Sequence, residues 1–220
     1  MPSLPAGVEP LALLLGPAGL AWGLVADRIS ARWPAHEDGS VRKVDWRTVV
    51  VAVLGAVAMA VAPVRFSDPG ERLLFGAFFA ACVLLMATDL DQRIMPNVIT
   101  LPLIVLGAVA LAWGGDSLVS RSSLLSSVVG AVAVPAVLYV ASMPFGDGAF
   151  GEADVKFLVA AGLLTGFIRI VLSVFAAAMI AGVAIVALLA TRRATLKSYI
   201  PFGPFLIMGV VWAVLLPASS

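Results

Sequence analysis

Apolar residues in this chain do not alternate with polar ones; they come in long runs separated by short polar breaks. A membrane-spanning helix needs about 20 predominantly apolar residues. On that measure the runs predict spans at roughly 10–27, 48–64, 72–88, 97–114, 123–142, 155–167, 168–190 and 200–217. The sixth is short, and only Thr165-Gly-Phe-Ile-Arg169 divides it from the seventh. Proline and glycine inside several runs are no obstacle, because neighbouring helices in a membrane satisfy the backbone groups they free. The expected architecture is an all-α polytopic membrane protein with about eight transmembrane helices, forming one transmembrane domain over residues 1–220.

Composition agrees. Of 220 residues, 61% are hydrophobic and only 12% charged, and mean hydropathy is +1.07. A soluble domain has too much surface to hide so much apolar area. A net charge of +1 gives no reason to expect nucleic acid; the bilayer is the expected partner. The single cysteine, Cys82, excludes a disulfide framework and a cysteine-rich zinc site. The single histidine, His36, cannot make a histidine-based metal site and reads as a solvated loop residue. No cofactor or metal is expected. No basic stretch precedes the first apolar run, so no cleavable signal peptide is expected.

Loop cations set the orientation. With the N-terminus outside the cytoplasm, Arg28, Arg32, Arg42, Lys43, Arg47, Arg93, Lys156, Arg192, Arg193 and Lys197 are cytoplasmic. Only Arg65, Arg72, Arg121 and Arg169 fall on the other side. The longest polar segment includes the cytoplasmic loop 28–47, too short for a folded domain. Gly162-Leu-Leu-Thr-Gly166 has the small-xxx-small spacing of a close helix contact.

Most of the 13 acidic residues lie in polar loops and read as solvated. Two groups do not. Asp89 and Asp91 sit at the end of the third span, and Asp147, Glu152 and Asp154 at the start of the sixth. A carboxylate at bilayer depth costs roughly 2.5–3.5 kcal/mol on insertion scales, so it is a functional candidate by default. Both groups fall on the cytoplasmic side. Two carboxylates brought together cannot both ionise, and the pair then holds one shared proton. The ionised member can take a proton from water while the protonated member polarises a carbonyl. That is peptide hydrolysis without metal, serine or cysteine.

The residues around these acids resemble a known family. Asp89-Leu-Asp-Gln-Arg-Ile-Met-Pro-Asn97 is similar to the first aspartate motif of the prepilin peptidases, an aspartate with a proline, Pro96, seven residues on. Gly151-Glu-Ala-Asp154, followed by the Lys156-containing helix, resembles their Gly-x-Gly-Asp motif. Tyr199 to Gly209, "YIPFGPFLIMG", resembles their C-terminal Pro-Phe-Gly-Pro segment, and Gly19 to Pro34 their first span and its exit. The resemblance implies an aspartic protease of the GxGD type in the bacterial cytoplasmic membrane, cutting the leader from type IV prepilins or pilin-like subunits at the cytoplasmic face. It maps the catalytic aspartates to Asp89 and Asp154; Asp91, Asp147, Gly151, Lys156 and Pro96 are assigned supporting roles beside them.

The chain departs from the family pattern in two ways. Ala153 replaces the second glycine of Gly-x-Gly-Asp, a poor exchange if the position needs positive φ or close helix approach. Asp147 also follows a glycine and rivals Asp154, although "VKFLVAAG" after Asp154 matches the family. Long members carry paired CxxC motifs and a methyltransferase activity, whereas the loop here has no cysteine, so a short form that cleaves without N-methylating is expected. The alternatives are another intramembrane aspartic protease, an inactive relative, and a proton-linked transporter. A transporter would predict repeat symmetry, and the sequence has no internal repeat.

Overall fold

A computed structural model describes residues 8–36, 39–66, 68–113, 123–145, 150–192, 195 and 201–216. The described residues form seven α-helices and no strand: α1 Val8–Ser30, α2 Trp46–Arg65, α3 Pro69–Gln92, α4 Asn97–Trp113, α5 Leu124–Ser142, α6 Glu152–Ala190 and α7 Gly203–Leu215, with a 3-10 turn at Met143–Phe145. Five of them, α1, α2, α3, α5 and α6, are long and apolar enough to cross a membrane; α4 and α7 are shorter apolar helices. The chain is an all-helical, multi-pass membrane protein.

The sixth and seventh predicted spans are two arms of α6. Gly166, at φ 77° and ψ 172°, breaks the 39-residue helix. That backbone region is essentially reserved for glycine, so the arms 152–165 and 167–190 are set at an angle fixed by one residue. The break falls within the sequence signal that divided the two spans. Counting the arms separately gives eight helical segments among the described residues.

Helix ends are set by specific caps. Asp45 accepts the Arg47 N–H at 2.9 Å, and Thr48 Oγ1 accepts the Asp45 N–H at 3.4 Å, a reciprocal cap on α2. Asp68 accepts from Gly70 and Glu71 at 2.8 and 3.0 Å ahead of a proline in the first turn of α3. Several helices run past the predicted spans. Hydropathy falls where charges begin, but α1 continues through Asp27 to Ser30 and α3 through Asp91 to Gln92.

Contacts divide the chain into two compact units, residues up to Leu106 and residues from Gly107 on, with the division inside α4. In the first, α1 and α2 run antiparallel with their backbones touching: a Cβ on Gly19 would lie 2.2 Å from the Gly55 carbonyl oxygen. Ala26, Val51, Val83 and Ala87 form a buried cluster joining α1, α2 and α3, flanked by Trp22. The Trp22 indole donates to the Ala80 carbonyl at 3.0 Å, which satisfies its N–H away from water. In the second unit, a Cβ on Gly162 would come within 2.6 Å of the Ala131 backbone nitrogen, and one on Gly130 within 3.0 Å of the Gly166 carbonyl carbon. The glycine spacing in "GLLTG" is therefore a true close contact between α6 and α5. Ser126 Oγ accepts the Phe167 N–H at 3.1 Å, one of the donors next to the kink. The Arg169 guanidinium donates to the carbonyls of Ala213 and Leu216, at 2.7 and 2.9 Å, at the C-terminal end of α7.

Candidate active site

Asp89 and Asp91 lie on the last turn of α3. That turn ends at Arg93, whose left-handed φ of 59° is held by its N–H on the Asp89 carbonyl at 2.9 Å. Three residues later Pro96 is buried, and its carbonyl accepts the N–H groups of Ile99 and Thr100 at 2.9 and 3.1 Å. The residue before a proline is pushed out of the helical region. The seven-residue spacing from Asp89 to Pro96 is thus a helix end, a short link anchored by buried Met95, and a new helix start. Asp89 itself is buried, 6% exposed.

Two residues apart on a helix, Asp89 and Asp91 point in different directions. The Asp91 side chain, 2% exposed, faces the loop after α1. Its Oδ1 lies 2.6 Å from Arg42 Nε and 3.1 Å from Arg47 Nη1, and its Oδ2 lies 3.2 Å from His36 Nε2. The Gln92 amide donates to the carbonyls of Ser30 and Pro34 at 3.2 and 2.7 Å, so the same turn is tied to the end of α1.

This corrects two expectations. His36 is half-buried and within ion-pair distance of Asp91, not a solvated loop residue. Asp27, counted among the solvated acids, is wholly buried. It pairs with Arg28 and Arg42 and accepts the Thr48 hydroxyl at 2.7 Å. Arg42 also reaches Asp45 at 2.6 Å, so one guanidinium meets three carboxylates. Burial works against the Arg42 charge, but Asp27, Asp91 and Asp45 outweigh it and raise its pKa above the ordinary value. Arg42, Asp27, Thr48 and Gln92 carried no motif that sequence reading would single out. The one hint was a loop with three acids and several cations between two apolar helices.

In the second unit Asp154 sits in the first turn of α6. Its Oδ2 accepts the Gly151 N–H at 3.3 Å, so the side chain caps its own helix. Lys156 Nζ lies 2.5 Å from Glu152 Oε1, one turn back. Ala153 is an ordinary helical residue; the positive-φ non-glycine residues among those described are Arg93 and Arg192. The backbone objection to alanine at this position therefore falls. Phe150, just before the motif, packs its ring 6.4 Å from that of Phe202 in Pro201-Phe-Gly-Pro204, and Gly203 and Pro204 are buried at the start of α7. The second aspartate motif and the C-terminal motif are thus packed together. Asp147, Tyr199 and Ile200 lie outside the described residues.

Buried acids at the ends of apolar helices define a class of membrane protein that keeps ionisable groups beside the bilayer. Comparison with known proteins narrows the class. The model of the Type IV leader peptidase family matches residues 76–187, just over half of the chain and inclusive of Asp89 and Asp154. The chain belongs to that family. A "Prepilin leader peptidase/N-methyltransferase" from Burkholderia pseudomallei is 33% identical over 187 residues, 82% of this chain and 53% of that protein. One of the same name from Aeromonas hydrophila is 30% identical over 201 residues, 87% of this chain and 60% of its own. The one from Pseudomonas aeruginosa is 28% identical over 128 residues, 58% and 43%. The chain spans about half the length of the curated relatives it matches. No solved structure matches it.

Proposed function

We propose that this chain is a membrane-embedded aspartic endopeptidase that removes the leader of type IV prepilins or pilin-like subunits, with Asp89 and Asp154 as the catalytic carboxylates. The observation that carries the reading is the family match, which runs unbroken through both aspartate motifs. The chemistry requires the two carboxyls to share one proton and one water. The ionised aspartate takes a proton from the water as it attacks the scissile carbonyl, while the protonated one donates to the carbonyl oxygen. Collapse of the tetrahedral intermediate breaks the C–N bond, and the proton passes to the departing amine. The substrate's own apolar helix stays in the bilayer and presents its leader from the cytoplasm. Asp91 and Asp147 support the site without reacting, Pro96 and Gly151 shape the two helix ends, and Lys156 lies two residues beyond Asp154, paired with Glu152 one turn back.

The pure protein, reconstituted with a prepilin and a labelled methyl donor, should release the leader and transfer no methyl group. Absence of cleavage would remove the peptidase reading; methyl incorporation would remove the short-form reading alone.

The site faces the cytoplasm of the bacterial cytoplasmic membrane in this proposal, because the loop cations are strongly biased to that side. A cysteine introduced by Ser40→Cys should be shielded from an impermeant thiol reagent added outside intact cells. Ready labelling there would reverse the orientation.

A further inference from the structure

The peptidase reading leaves the ion cluster around Arg42 without a role, although it is the most densely paired group of charges among the described residues. It draws on three places: the end of α1 through Asp27, the cap of α2 through Asp45, and the end of α3 through Asp91. The loop 31–45 would otherwise be a short polar link with little to pack against. Instead it carries Arg42, whose side chain is only 12% exposed, into the space between three helix ends. Each of its three guanidinium nitrogens meets a different carboxylate. The contact to Asp91 through Nε is an electrostatic one, off the N–H axis; the contact to Asp45 is a hydrogen bond at 2.6 Å. The Arg42 carbonyl accepts from Arg28 at 3.2 Å, which fixes the loop backbone as well.

The charges nearly balance. Asp27, Asp45 and Asp91 stand against Arg28, Arg42 and Arg47, with His36 beside Asp91. At its buried centre, Asp27, Arg42 and Asp91, the gain from pairing is largely offset by the loss of hydration, so the cluster's clearest consequence is geometric. The geometry it specifies is that of the turn 89–92. Asp91 and Gln92 are both held by groups from the α1–α2 side, and Asp89 is on the same turn.

We infer that Arg42 is a positioning residue for the reaction: it braces the last turn of α3 against the ends of α1 and α2 and so fixes the direction of the Asp89 carboxyl. The inference rests on the reading of Asp89 as catalytic. Arginine is required because a planar guanidinium offers donors in three fixed directions; the ammonium of lysine is a point charge and cannot span three carboxylates. A displacement of about 1 Å at a reacting group costs on the order of a hundredfold in rate. Loss of the brace therefore shows in kcat and leaves substrate binding nearly alone.

The test uses the full chain in lipid with two variants. Arg42→Gln removes the charge; Arg42→Lys keeps the charge, so the buried carboxylates stay compensated and the fold is retained. Each is examined for kcat and KM on a prepilin and for hydrogen exchange of the backbone amides at 89–93, with α2 amides at 51–58 as reference. Arg42→Lys should exchange about tenfold or more faster at 89–93 with the reference unchanged; Arg42→Gln, which strands the carboxylates, should exchange faster at 89–93 by at least as much, with a smaller rise in the reference. Both should lose about ten- to a hundredfold in kcat, with KM within about threefold of wild type. Unchanged exchange at 89–93 in Arg42→Lys overturns the brace, whatever the activity does. Faster exchange with an unchanged kcat overturns the catalytic role and leaves a purely structural one. A wild-type protein that cleaves no prepilin removes the proposed function and the catalytic half of the inference together, while the exchange comparison still decides whether the brace exists.

Discussion

Asp27→Ala should be among the most destabilising single side-chain deletions in the first compact unit. Asp27 is wholly buried and takes contacts from Arg28, Arg42 and Thr48. Removing it leaves Arg42 deeply placed with one of its three carboxylates gone, and leaves Arg28 and the Thr48 hydroxyl short of an acceptor. Breaking a buried ion pair from one side typically costs about 3–5 kcal/mol, because the remaining charge is stranded in a poorly solvating site. For a chain of this size that is a fall in unfolding midpoint of roughly 6–20 °C. A comparison isolates the cause. Glu152 also makes a close ion pair, with Lys156, but its side chain is 81% exposed and water replaces the lost partner. Glu152→Ala should move the midpoint scarcely at all. Thermal unfolding of both variants in the same detergent is the check. Equal midpoints for the two would mean that the Asp27 cluster is not buried as described.

Asp89→Asn should abolish leader cleavage while the protein remains inserted and folded. The amide has nearly the shape of the carboxyl but can neither take a proton from water nor share one with a second aspartate. General acid–base catalysis by one positioned side chain contributes about 10²–10⁴-fold, and in a pair that acts as a unit the loss of one member removes most of the joint effect. Asp91→Asn is the informative neighbour. Its side chain turns away toward Arg42, Arg47 and His36, and the amide oxygen can still accept from the two guanidinium groups. Measurable cleavage should remain. Quantifying released leader for the two variants at equal folded concentration separates them. Comparable losses would mean that the last turn of α3 works as a block and that Asp89 has no special part in the chemistry.

How far the sequence could be read depended on what each feature owes to its neighbours. Apolar runs located every helix among the described residues, because a bilayer imposes the same requirement on each span independently. The division near Gly166 was visible because Thr165-Gly-Phe-Ile-Arg169 interrupts the apolar run; that a glycine makes the break is a matter of backbone conformation, seen only in the fold. Helix ends were not. Charges at Asp27, Asp89 and Asp91 lower the hydropathy, so the predicted spans stopped early, while the hydrogen-bonded helix continued until a cap or a left-handed residue such as Arg93 closed it. The aspartate motifs were legible through family resemblance, but their surroundings were not. Arg42 reaches back 15 residues to Asp27 and forward to Asp91, and no local pattern announces a partner at such separation. His36 was misread for the same reason: a lone histidine in a polar loop looks solvated until the loop is seen folded over a helix end. The packing of Phe150 on Phe202 likewise joins two motifs about fifty residues apart through shape alone.

The assignment of the second aspartate bears most directly on the proposed chemistry, and one comparison decides it. Asp154→Asn and Asp147→Asn are assayed side by side for release of the leader from a prepilin in proteoliposomes, with protein insertion verified for each. The account predicts no leader release by Asp154→Asn and continued release by Asp147→Asn. Cleavage by Asp154→Asn together with its loss in Asp147→Asn would contradict the reading of the second motif, and cleavage by both, with Asp89→Asn also active, would contradict the aspartic mechanism itself.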